Sequence, residues 1–145
     1  MQGKNWDFKI LENHATGDFE FEASGSTLGD LFISCANACF AAMTELETVK
    51  QDMECNIEIN GDNPNDLLFN FISELIYLKD FKKMFFSRFD IVISPDEKSL
   101  NAAVFGERIN YGTHVIKTDV KAVTYHDLDI KHEKGRFTTR MILDL

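Results

Sequence analysis

No run of this chain approaches the roughly 18 consecutive apolar residues that a membrane-spanning helix requires, so no such span is expected. The opening residues, Met1-Gln2-Gly3-Lys4-Asn5-Trp6-Asp7, lack the apolar stretch of a secretory signal, which predicts a cytoplasmic protein. Cysteine is sparse. Cys35, Cys39 and Cys55 are an odd number with no framework spacing, as expected of a protein kept in a reducing compartment. Positive charge is short as well: 15 Lys and Arg stand against 24 Asp and Glu, a net charge of −9. A protein that grips RNA or DNA unaided releases counterions with clustered cations, and no basic stripe is present here. Direct nucleic-acid binding is therefore not expected, and any RNA in its function would be held by a partner. A Gly-rich phosphate loop, a Gly-x-Ser-x-Gly elbow and a His-Glu-x-x-His pair are all missing, which leaves a covalent nucleophile without support.

Apolar residues, by contrast, are plentiful. They make up 44% of 145 residues and include 13 phenylalanines, enough to fill the core of one domain spanning residues 1–145. A domain of this length buries about 70% of its unfolded surface and needs no covalent staples.

Period-two alternation predicts strands at residues 6–11 and 18–24, forming a hairpin with His14 in its loop and Asp18 at its exit. At residue 25 the period changes. Ser26 or Thr27 can cap a helix whose stripe runs through Leu28, Leu31, Phe32, Cys35, Cys39 and Phe40 and ends near residues 44–46. Cys35 and Cys39 share that apolar stripe with no histidine beside them, and read as core residues rather than metal ligands. Another strand is expected at residues 53–60. Pro64 suits the first turn of a second helix over residues 66–80, whose wide apolar arc predicts the deeper burial of the two. Strands follow at residues 84–93 and 100–105, then a long aperiodic loop over 106–117, and a final strand at 136–145. Two helices packed on a largely antiparallel or mixed sheet of about seven strands define an α+β class.

Residues 119–130 stand out. Read as a strand, one face carries Val120, Ala122, Thr124, His126, Leu128 and Ile130, which would bury the His126 imidazole. The other face sets Lys121 among Asp119, Asp127 and Asp129. Taken alone, His126 reads as a hydrogen-bonded structural histidine and Lys121 as part of a solvated charge ladder worth less than about 1 kcal/mol. Asp18 and Asp144, both at strand ends, offer carboxylate oxygens that suit a hard cation such as calcium or magnesium, though spacing does not bring them together.

Gly106-Glu107, His114 and Lys117-Thr118-Asp119-Val120-Lys121-Ala122-Val123-Thr124-Tyr125-His126 resemble the signature segment of the archease family. Residues 42–46, 66–78, 85–89 and 142–145 are similar to other parts of the same family, so the resemblance covers nearly the whole chain. It implies a cytoplasmic activator of an RtcB-type RNA ligase, which joins 2′,3′-cyclic-phosphate or 3′-phosphate ends to 5′-hydroxyl ends in tRNA splicing. The activator is not itself an enzyme; it promotes guanylylation of the ligase's active-site histidine and repeated turnover. The resemblance further implies a divalent ion, calcium, held by Asp18, Asp144 and Leu145 (through its backbone oxygen or terminal carboxylate), with Lys121 functionally important and His126 a signature residue. The motif His14-Ala15-Thr16-Gly17-Asp18 is one residue longer than the family's form, and the distance from Asp18 to Gly25 places the extra residue before Asp18. Asn70 stands where many members carry an acid. Two other readings of the same residues are a small metal-dependent phosphoester hydrolase with His126 as base, and a chaperone-like interaction module with a structural metal.

Overall fold

The computed structural model describes residues 5–13 and 18–145; the loop expected to hold His14 lies outside them. In chain order the described elements are β1 (Trp6–Asn13), β2 (Asp18–Gly25), α1 (Leu28–Ala41), β3 (Met53–Asn60), α2 (Pro64–Lys82), β4 (Met84–Ile93), β5 (Ser99–Arg108), β6 (Ala122–Val123), β7 (Lys131–Glu133) and β8 (Arg136–Asp144). The α+β class holds. The strands, however, divide between two sheets, with every pairing antiparallel. One runs β1-β2-β8-β6, with β7 also on β8, and the other runs β3-β5-β4.

Both helices start where a side chain can satisfy a free backbone donor. Thr27 Oγ1 accepts from the Asp30 amide at 3.0 Å, and Asn63 Oδ1 accepts from the Asp66 amide at 2.9 Å, with Pro64 in the first turn. The depth of burial is the reverse of that expected. In α1 ten of 14 residues are buried, against eight of 19 in α2. Small residues (Ser34, Ala36, Ala38) let α1 be covered by β1 and β2 of one sheet and by β4 of the other, while α2 keeps Tyr77, Asp80 and Phe81 in solvent. Cys35 and Cys39 are fully buried on α1, as the stripe predicts, and burial pushes the Cys39 thiol up to about 12. Both thiols therefore stay protonated at neutral pH and serve as core groups.

The first helix also stops earlier than its apolar stripe suggests. Its last carbonyls are taken from outside: Met43 O accepts from the Lys117 amide at 2.9 Å and Ala42 O from the Thr118 amide at 3.3 Å. The chain that follows Lys117 is thus fastened to α1 before it reaches the sheet.

Candidate functional site

The sheet register brings together residues that lie at opposite ends of the chain. Asp18 is the direct partner of Asp144 across β2 and β8, and Ala122 of β6 is the partner of Asp144 on its other side. Directly opposed residues of an antiparallel pair project from the same face. The neighbouring rung, Phe19, Leu143 and Val123, points the other way and is buried. The Lys121 amide donates to Asp144 O at 2.8 Å, so Lys121 and Ala122 both adjoin one residue. Lys121 and Asp144 are exposed, Asp18 is half-buried, and the neighbouring Leu145 packs partly against the core. Asp18, Lys121, Asp144 and Leu145 therefore share one end of the sheet. No side-chain ion pair to either carboxylate occurs among the described residues.

His126 lies elsewhere. Only Ala122–Val123 of the 119–130 stretch is strand; Thr124 N–H still reaches Ile142 O at 3.0 Å, and then the chain turns. Leu128 N–H returns to Tyr125 O at 3.1 Å, and Asp127 takes a left-handed φ of 60°. The turn throws the imidazole outward. Its side chain is 75% exposed, and its one polar partner among the described residues is Asp127, at 3.6 Å. The buried histidine expected from strand alternation does not exist: His126 is a solvent-exposed turn residue.

Outside the short pairing of β6 with β8, residues 119–130 are tied to α2. The segment runs antiparallel along that helix and is pinned at both ends. Near one end, Lys79 is 3% exposed and its Nζ donates to Asp80 (2.6 Å), Asp119 (2.7 Å) and Val120 O (3.0 Å). Burial acts against the charged amine, but the hydrogen bonds to Asp119 and Asp80 outweigh it and hold the ammonium above its ordinary value. Asp119 therefore belongs to Lys79 and not to a ladder with Lys121. Near the other end, the Tyr125 ring stacks on Phe69 at 3.8 Å between centroids, its hydroxyl donates to Asp66 at 2.6 Å, and Ile130 N–H donates to Asn65 at 2.9 Å.

The Tyr125–Asp66 bond has a measurable consequence. Donation to Asp66 pushes the Tyr125 hydroxyl up to about 12, and receiving it holds the Asp66 carboxyl below the usual range. The protonated phenol is the bonded form, so its contribution to stability is complete below the ordinary tyrosine range. It is lost as pH rises through about 12. A tyrosinate absorbance titration is expected to contain a component with a midpoint near 12 that Tyr125→Phe removes. Its persistence in that variant would show that the bond does not form.

Glu107 and His114 of the signature are structural. Asn110 N–H donates to His114 Nδ1 at 2.9 Å, which places the ring proton on Nε2, where it is donated to Glu107 at 2.8 Å. Glu107 also accepts from the Lys50 amide at 2.8 Å, and these donors hold its carboxyl below the usual range. His114 is buried edge-on against Phe85. The long loop is thus shorter than its aperiodic sequence implies, because β5 runs on to Arg108 and His114 fastens the remainder.

Sequence reasoning passed over Lys79, Asp66 and Tyr125. The available signal was Lys79 itself, a charged residue set among Leu75, Ile76 and Leu78 on a helix. Among the described residues no group of three or more His, Cys, Asp or Glu side chains forms a ready metal cage.

A family model described as the Archease protein family matches residues 8–145. Similar chains include the protein archease of Methanothermobacter thermautotrophicus, 36% identical over 134 residues, with 90% of this chain and 94% of that one covered. That of Pyrococcus furiosus is 30% identical over 133 residues with the same coverage. The solution structure of Methanobacterium thermoautotrophicum protein 1598 superposes with a TM-score of 0.77 at 31% identity, covering 99% of this chain and 100% of that one. A crystal structure from Thermotoga maritima, described as an archease and possible chaperone, has a TM-score of 0.65. At 20% identity, covering 90% and 92% of the two chains, it shows a common fold.

Proposed function

The chain belongs to the archease family, and on that basis we propose that it is a cytoplasmic accessory protein of an RtcB-type RNA ligase, without catalysis of its own. In this reading it promotes guanylylation of the ligase and so allows repeated turnover in tRNA splicing or RNA repair. The observation that carries the reading is the direct opposition of Asp18 and Asp144 at a sheet end where Lys121 is hydrogen-bonded to Asp144.

The donor set at that end fits a hard divalent cation. Asp18 and Asp144 supply two carboxylates from adjacent strands, and among the described residues no thiolate or imidazole is paired with them. Calcium takes six to eight oxygens, so two carboxylates leave room for a main-chain oxygen of Leu145, for water, and for oxygens of a partner. When bound, such an ion supplies positive charge that orients an anionic group of the partner. The remaining work falls to this chain. Lys121 offers an exposed ammonium with three donors, suited to a phosphate oxygen of the ligase's nucleotide. The net charge of −9 favours approach to a basic RNA-binding ligase and disfavours competition for the RNA.

The test is a reconstitution. Ligase guanylylation and RNA joining are measured at excess RNA ends, with and without this chain and with and without calcium. Joining is expected to rise from about one turnover per ligase to many. Turnover unchanged by the chain would defeat the proposal. Phosphoester cleavage by the chain alone, lost in Asp144→Ala, would support a hydrolase instead.

A further inference from the structure

We propose that Lys79 is a positioning residue, which clamps Asp119 and Val120 from α2 and thereby presents Lys121 beside Asp144. The inference rests on the functional reading above, since it assigns Lys79 a purpose through Lys121. The Lys79 ammonium has three N–H donors, and the structure uses all three, on Asp80, Asp119 and Val120 O. Two of these acceptors lie on consecutive residues of one segment, directly before Lys121.

An apolar residue would fill the same space without the penalty of desolvating a charge, so stability alone does not account for a lysine here. Fixing register does. The Asp80 and Asp119 side chains are 57% and 70% exposed, so the loop reaches inward to the lysine with only its carboxylate oxygen and a carbonyl. Val120 itself is fully buried, which holds its backbone from the other side. One peptide bond later, Lys121 N–H meets Asp144 O. The chain from helix to site is therefore continuous: Lys79, Asp119 and Val120, Lys121, Asp144, then Asp18 across the sheet. Lys117 and Thr118 anchor the same segment upstream at the end of α1, so each of residues 117–121 carries a hydrogen bond.

The experiment compares Lys79→Met, which keeps the hydrocarbon bulk, with Asp119→Asn, which weakens one arm at the surface without opening the core. Ile76→Val on the same helix serves as a purely structural control. Amide hydrogen exchange by NMR, thermal unfolding and ligase stimulation are followed in each. Lys79→Met and Asp119→Asn are expected to speed exchange at Lys121 on the order of tenfold, with β3 and β5 amides unchanged. Maximal ligase stimulation is expected to fall on the order of tenfold at saturating chain, as is usual when a supporting partner is removed. Ile76→Val is expected to lower the unfolding temperature while leaving both readouts at wild-type values. Wild-type exchange at Lys121 and full stimulation in Asp119→Asn and in folded Lys79→Met would overturn the proposal. If Lys79→Met does not fold, Asp119→Asn decides alone. If the wild-type chain does not stimulate the ligase, the functional reading fails, and exchange at Lys121 still tests the clamp.

Discussion

Asp144→Asn is expected to leave the folded protein at least as stable without calcium, and to abolish both the calcium response and the ligase stimulation. Like charges directly opposite across an antiparallel pair repel, and Asp18 faces Asp144 in this way. Removing one carboxylate relieves that repulsion, while Asn keeps the size of the side chain and the backbone bond from Lys121. The wild-type protein, with calcium at 100 times its dissociation constant, gains about 2.7 kcal/mol from binding to the folded state alone. In Asp144→Asn that gain falls to about 0.4 kcal/mol or less once affinity drops by the ~100-fold or more expected from loss of a charged ligand, since even outer partners of a metal ligand are worth 10–100-fold. Thermal unfolding with and without calcium reads both signs at once. A variant less stable than wild type without calcium, yet equally stabilised by it, would show that Asp144 is a structural residue and that the ion binds elsewhere. Asp18→Asn is expected to change the calcium response in the same direction, because it removes the carboxylate directly opposite Asp144.

Gly106→Ala is expected to be the most destabilising single substitution in the second sheet. Gly106 is buried in β5, the central strand, opposite Phe86 on one side and Met53 on the other. A Cβ there would overlap the carbonyl oxygen of Phe85 and approach the Phe85 carbonyl carbon and the Phe86 Cα at 2.8 Å. These are backbone atoms of β4, where the pairing register shifts between Phe86 and Arg88, and they have nowhere to go because Phe85 and Phe86 are buried. Flexible side chains could yield; a strand cannot. A loss of about 4 kcal/mol follows, at the severe end of single substitutions, or roughly 10 °C in unfolding temperature for a domain of this size. Gly112→Ala, whose Cβ would meet only the Asn110 side chain at 3.2 Å, is expected to stay within about 0.5 kcal/mol. Denaturant unfolding of the two variants checks the contrast, and a Gly106→Ala protein within about 1 kcal/mol of wild type would refute the steric account.

These two positions were legible to different degrees. The similarity of Gly106 to a signature residue marks it as special but does not say why; the reason is the approach of the Phe85 carbonyl from a strand about twenty residues away in the chain. Asp18 and Asp144 are singled out by resemblance to the family, whereas their opposition is a matter of register between β2 and β8. His126 shows the opposite case. Alternation suggested a buried imidazole, because apolar Val120, Leu128 and Ile130 share its parity. Val120 and Leu128 are buried in the core and Ile130 packs partly against it, but the left-handed Asp127 breaks the alternation and His126 is turned outward. Lys79 could not be paired from sequence at all, since Asp119 lies 40 residues further along.

The amino-acid sequence by itself determined the local elements: the alternating strands, the helix starts at Ser26 or Thr27 and at Pro64, the apolar stripes and the acidic surface. Each of those depends on contacts within a few residues, or on the free energy of burying apolar faces whose period is written in the chain. Tertiary structure alone decided the division into two sheets, the deeper burial of α1, the course of residues 119–130 along α2, and the opposition of Asp18 and Asp144 with the Lys121 amide on the Asp144 carbonyl. The physical reason is that a period identifies which face of a segment is buried but not what buries it. A buried charge likewise names the need for partners without naming them, and Lys79 finds its own only when α2 and the segment before β6 are packed side by side.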